Sequence, residues 1–225
     1  MVLVAQARPS ERAEFIKKTY LHLAGAVAAF IVVEFLLFQL GIAQALGQFV
    51  AQSGFGFLIL LGGFMILGSM ASGLAAKASD INTQYMGLGL YVVGEAILFA
   101  PLLFFASFYG TGVITSAALV TLGLFGGLTA VVFTTGEDFT FLGGALKIFG
   151  MIALALIACS FIFGLNLGIF FSFAMVAFAA ASILYQTSQI MQRYPTQYYV
   201  AASLALFASI MTMFWYVLRI FMSRR

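Results

Sequence analysis

In a chain this apolar, the residues able to do chemistry are few, and several fall into lines. Ser182, Gln186, Gln189 and Arg193 follow one another at spacings of four, three and four, so on a helix they share a face. Ser209, Thr212, Tyr216 and Arg219, spaced by three, four and three, make a second such face. Neither line contains an acid. Amides and hydroxyls donate and accept at once, so two facing lines can wall a hydrated path or simply join neighbouring helices by hydrogen bonds. Arg219 can also snorkel to the membrane interface.

Two acids lie elsewhere in apolar surroundings. Glu34 has Phe30, Ile31, Leu37 and Phe38 above and below it, and Glu95 comes six residues before Pro101. Polar groups at membrane depth are costly and tend to be functional or tightly paired. Read functionally, the two are proton or cation ligands. Read structurally, they are protonated acids hydrogen-bonded to a neighbouring helix, the better reading for Glu34. At Glu95 the two readings balance, because Tyr91 and the proline supply polar groups and irregular backbone nearby. In Glu137-Asp138-Phe139, Asp138 reads first as a helix-start cap and second as a cation site at a mouth.

The elements that must position these groups cross a membrane. Of 225 residues 64% are hydrophobic and 8% charged, far less charge than a soluble surface of this size carries. A crossing needs about 20 apolar residues. That ruler gives spans at Tyr20–Leu40, Phe55–Ala76, Gln84–Tyr109, Val113–Thr134, Phe139–Phe163, Leu165–Tyr185 and Tyr198–Phe221, after a polar segment over residues 1–19. The expected fold is an all-α integral membrane protein, one seven-helix domain with no linker or internal repeat. The first span is read as retained rather than as a cleaved signal, because it is too long for a signal core and contains Glu34. Glycine and serine pairs such as Gly68/Ser72 and Gly123/Gly127 suit close helix packing and specify nothing more.

Basic residues set the expected orientation. Arg8, Arg12, Lys17 and Lys18 precede the first span, Lys77 and Arg193 occupy loops on the same side, and Lys147 sits just inside span five. The opposite loops hold no lysine or arginine, so the amino terminus is expected in the cytoplasm. Seven crossings leave Arg224 and Arg225 on the outer side, against the rule; a final segment that dips in and returns would bring them back. Seven crossings are preferred, because the last span is long enough.

Enzymatic chemistry finds little footing. Cys159 and His22 are the only residues of their kinds, which excludes a disulfide within the chain and a metal site built from Cys and His. Gly87–Gly94 lacks phosphate-loop spacing, and no serine sits in a nucleophile elbow. The net charge of +3 comes from loops and termini and does not point to nucleic acid. No cofactor and no metal are expected.

Several segments in order resemble the Bax inhibitor-1 superfamily, including its bacterial branch of membrane-protease modulators: FIKKTYLHLAGAV, YMGLGLYVVGEAILFAPLL, TTGEDFTFLGGALKIFGM and ILYQTSQIM. The resemblance covers nearly the whole chain and implies a seven-helix bundle with the last helix central. In some members an aspartate at the end of helix six and another in helix seven form a pH-sensitive gate for a calcium leak. Here Gln186 matches the first, the window Leu206–Ile210 holds no carboxylate, and no Asp or Glu occurs after Asp138. The chain keeps the polar seam and lacks the acids that would titrate. The resemblance implies a non-enzymatic protein that binds a membrane-anchored ATP-dependent protease and its scaffold, expected at a bacterial inner membrane; Arg8–Lys18, the largest polar surface outside the bilayer, reads equally as its handle or as plain topological anchoring by positive charge. The alternative is a weak, pH-insensitive Ca2+ leak past Glu95 and the Gln186 seam.

Overall fold

The computed structural model describes residues 2–77, 80–110 and 112–223. After a 3-10 turn at Val4–Gln6 come eight α-helices: α1 (Pro9–Gln39), α2 (Ile42–Gln52), α3 (Gly56–Ala75), α4 (Ile81–Ser107), α5 (Val113–Thr135), α6 (Leu142–Phe163), α7 (Gly168–Gln192) and α8 (Tyr199–Ser223). Among the described residues, seven of these are long and apolar enough to cross a membrane, and the fold is all-α. Arg224 and Arg225, on which the orientation of the carboxy terminus was argued, lie outside the described residues.

The helices depart from the expected spans in three places, one being α7, which runs to Gln192 where the span was expected to end at Tyr185. The basic segment is helical: α1 begins at Pro9, whose fixed φ suits a first turn, and Glu11 Oε2 accepts the Arg8 N–H at 3.3 Å. The stretch Gly41–Gly54, expected as loop, contains α2. Eleven residues rise only about 16 Å, too short to span, so α2 lies between crossings and packs on α4. Asp80 starts α4 by accepting the N–H groups of Asn82 and Thr83 at 3.0 and 3.3 Å. The Thr83 hydroxyl and those amides hold its carboxyl below the usual carboxylate range.

α8 is the axis of the bundle. It packs on α1, α3, α4, α5 and α7, and residues all round it are buried, Leu206, Phe207, Met213 and Leu218 completely. Phe207 meets Phe30 of α1 and Tyr91 of α4 edge-on, at centroid distances of 6.2 Å each. The resemblance-based picture of a central last helix describes this arrangement, except that α6 stands to one side. α6 packs mainly on α7 and reaches α8 where Ala153 and Tyr216 share a small cluster with Met175. Much of its surface is exposed apolar side chain, including Ile148, Phe149 and Met151, as a lipid-facing helix requires.

α3 and α4 approach closely because Gly87 has no side chain. A Cβ there would lie 2.5 Å from the Ala71 carbonyl oxygen and 2.6 Å from the Ala75 nitrogen.

The end of the bundle that carries the basic residues is tied together by its loops. The Val4 N–H donates to the Tyr194 carbonyl at 2.9 Å, and the Thr196 N–H donates to the Val2 carbonyl at 3.3 Å. Val4 is wholly buried. The first residues thus form an isolated antiparallel bridge, Leu3 to Pro195, on the α7–α8 loop.

Candidate functional site

α3, α6, α7 and α8 do not close on one another along their whole length. Toward the basic end they leave a cavity of about 920 Å3. Gln186 and Ser182 of α7, Ser209 and Thr212 of α8, Lys147 of α6 and Tyr91 of α4 give it its polar groups, together with Tyr185, Tyr194, Tyr198 and Ser72. Ala201, Ala205 and Ala208 form its α8 floor, and their small side chains are what keep it open. Toward the far end, Phe57 of α3 stacks on Phe161 of α6 with centroids 5.2 Å apart and touches Trp215 of α8 at 5.6 Å. That aromatic contact lies beyond Thr212, and none of its three residues lines the cavity.

The two polar lines therefore meet, but only in part. Gln186, Ser209 and Thr212 face the same space. Tyr216, one turn beyond Thr212, does not line the cavity and packs edge-on against Phe171 at 5.9 Å. Arg219 is exposed. Gln189 is half-buried and does not line the cavity. Arg193 is the residue that ends α7, and its guanidinium turns aside to donate to Thr140 Oγ1 at 2.6 Å, with Asp138 Oδ2 3.8 Å away.

The hydroxyls of Ser182, Ser209 and Thr212, which line the cavity, bond within their own helices. Ser209 donates to the Ala205 carbonyl at 3.0 Å, Thr212 to that of Ala208 at 2.9 Å, and Ser182 to that of Phe178 at 2.9 Å. The Gln186 amide and the Lys147 ammonium make no hydrogen bond to any described residue. No carboxylate lines the cavity. Tyr194, on the α7–α8 loop, is buried enough that its hydroxyl is pushed up to about 12, so it stays a donor at any ordinary pH.

The acids sit outside this space. Glu95 is 5% exposed and one turn beyond Tyr91, so it lies next to the cavity without lining it. Glu34 is 6% exposed on α1. Among the described residues, neither Glu34 oxygen nor Oε2 of Glu95 has a hydrogen-bond partner, so the expected bond to a neighbouring helix is not made. Asp138 Oδ1 accepts the Thr140 N–H at 2.8 Å and so caps the turn before α6 rather than α6 itself. The Thr140 side chain and amide, then Arg193, hold its carboxyl below the usual range.

Sequence pattern missed Lys147 and the tyrosines as neighbours of Gln186. Lys147 could be read only as an orientation signal, since nothing in a single helix's spacing says that α6 leans away from α3. The tail bridge to the α7–α8 loop left no signal either, because backbone groups of Val2 and Val4 make it.

Residues 12–225 match the family described as inhibitor of apoptosis-promoting Bax1. The chain is similar to an uncharacterized protein of Pseudomonas aeruginosa, 39% identical over 115 residues that make up 50% of each chain, so the match spans half of that relative's length. It is also similar to Bax inhibitor 1 of Schizosaccharomyces pombe, 28% identical over 221 residues, 96% of this chain and 79% of the relative. No solved structure matches it.

Proposed function

The chain belongs to the Bax inhibitor-1 family of membrane proteins, and from that premise we propose that it acts without catalysis, by binding other membrane proteins. The partner we propose is a membrane-anchored ATP-dependent protease with its scaffold, met from the cytoplasmic side of a bacterial inner membrane. What carries the proposal is the start of α1, from its cap residue Arg8 to Lys17 in the third turn. Arg8 and Lys17 are exposed and Arg12 is half-buried on a rigid helix whose leading residues are pinned to the α7–α8 loop. Basic groups held on an ordered helix present a fixed pattern to an acidic surface, which a floppy tail would not. Lys18 is already engaged, 2.7 Å from Glu14.

A calcium leak is the weaker reading. Calcium selects several oxygen ligands with negative charge among them, and this cavity offers neutral oxygens and a lysine.

Removing the whole tail would also strip the Val4 bridge, so the test is a triple substitution, Arg8→Gln with Arg12→Gln and Lys17→Gln, that leaves Lys18 and Val4 in place. Recovery of the protease with the tagged chain from native membranes should fall several-fold while membrane insertion, followed by a terminal topology reporter, is unchanged. Equal recovery of the protease from wild type and variant would defeat the proposal.

A further inference from the structure

The cleft beside α8 has the dimensions and charge of a lipid site. From Tyr198 to Thr212 it runs about 21 Å along the helix, half of the roughly 40–45 Å that a bilayer measures with its headgroups. It therefore spans one leaflet, the one at the basic end. Its volume of about 920 Å3 is in the range that takes a small amphiphile. Its deep part is lined by Phe178, Ala205 and Ala208 with the Ser209 and Thr212 hydroxyls, each of which already donates to a carbonyl of its own helix.

The mouth has the opposite character. Lys147 stands five residues into α6, about 8 Å from the helix start, the depth at which a lysine reaches the headgroup layer. Tyr194 and Tyr198 lie on the loop beside it, and no acid lines the space. The Lys147 ammonium has no carboxylate within salt-bridge reach among the described residues, whereas Arg193 and Lys18 each have one. An unneutralised cation over an apolar slot complements an anionic headgroup on an acyl chain, and α6, held mainly by α7, leaves the slot open to the bilayer.

We propose that the cleft between α3 and α6 binds one anionic phospholipid from the adjoining leaflet, its phosphate at Lys147 and the loop tyrosines and an acyl chain along α8. The protease-binding proposal is independent of this site. Gln186 lies within it as the one amide facing the chain's upper part.

The test uses the full chain, delipidated in mild detergent and examined by native mass spectrometry with dioleoyl-phosphatidylglycerol or dioleoyl-phosphatidylcholine added. One phosphatidylglycerol per chain should be retained about five-fold better than phosphatidylcholine, the preference one basic contact at a membrane surface supplies. Lys147→Gln, an exposed change, should abolish the preference, and Ala208→Phe should lower retention of both lipids. Inorganic phosphate in excess should not displace the lipid. Equal retention of the two lipids, an unchanged preference in Lys147→Gln, displacement by phosphate, or a lipid-free dimer in place of the adduct would each overturn the site.

Discussion

At position 186 an amide stands where the family resemblance places an acid, and the window Leu206–Ile210 holds no carboxylate to pair with one, so the seam lacks both groups that would respond to protons. Amides and hydroxyls do not titrate near neutrality, so calcium flux through the wild type, if measured in proteoliposomes, should stay flat between about pH 6 and 8. Gln186 and Ser209 line one cavity, so Gln186→Asp with Ser209→Asp would set two acids in one small space, where they titrate as a coupled pair. That double variant should gain a pH dependence that neither single variant has. Ala208 is an equally placed second site, whereas Phe207 is wholly buried against Phe30 and Tyr91 and an acid there should prevent folding. A steep pH response in the wild type would assign the sensor to another group, Glu95 first. Asp138 gives a different pH signature. Its carboxyl is held low by Thr140 and Arg193, so its stabilising contribution is full above about pH 4, the unfolded value, and disappears as pH falls through the lower folded value. Thermal unfolding of Asp138→Asn should therefore trail wild type by a constant margin from about pH 6 to 8 and converge with it in acid.

Helix pairing is where glycine makes testable demands. Gly87 admits the backbone of α3, and a methyl there must push Ala71 and Ala75 away, so Gly87→Ala should cost about 1–3 kcal/mol in unfolding measured in detergent. Gly89, two residues on, faces nothing within 4 Å, and Gly89→Ala should be neutral or stabilising by up to about 1 kcal/mol through helix propensity. Similar losses at both positions would mean that α3 and α4 do not meet as described. The positions of the crossings were legible because each is a long apolar run broken by glycine-rich or polar turns. α2 was not, since eleven apolar-to-polar residues between two spans look the same as a loop when length is the only ruler. The polar lines were legible as helix faces, but how far each line stays in one cavity was not. Tyr216 falls outside the cavity, and beyond Thr212 Phe57, Phe161 and Trp215 meet from three helices, a meeting no spacing along one helix records.

Across the whole molecule, the sequence could say that seven helices cross and not which one lies in the middle. Lipid tails are as apolar as a leucine core, so a span buried among helices and a span facing lipid have similar compositions. α8 and α6 illustrate this: both are long apolar runs, yet α8 is mostly buried and α6 mostly exposed. The resemblance supplied the central last helix; polarity in the α8 line was only a weak hint of it. The difference has an energetic consequence. Shortening a side chain on α8 leaves a void that no lipid can enter, whereas on the outer face of α6 an acyl chain fills the space at little cost. Leu206→Ala, at a wholly buried position, should destabilise by about 2–3 kcal/mol, the low end of the large-to-small range because transfer out of water contributes little inside a bilayer. Ile152→Ala, at 48% exposure on α6, should cost well under about 1 kcal/mol. Reversible unfolding in mixed micelles, with helicity followed by circular dichroism, separates the two outcomes. Comparable losses at both positions would place α6 inside the bundle, and the open cleft beside it would then have no room to exist.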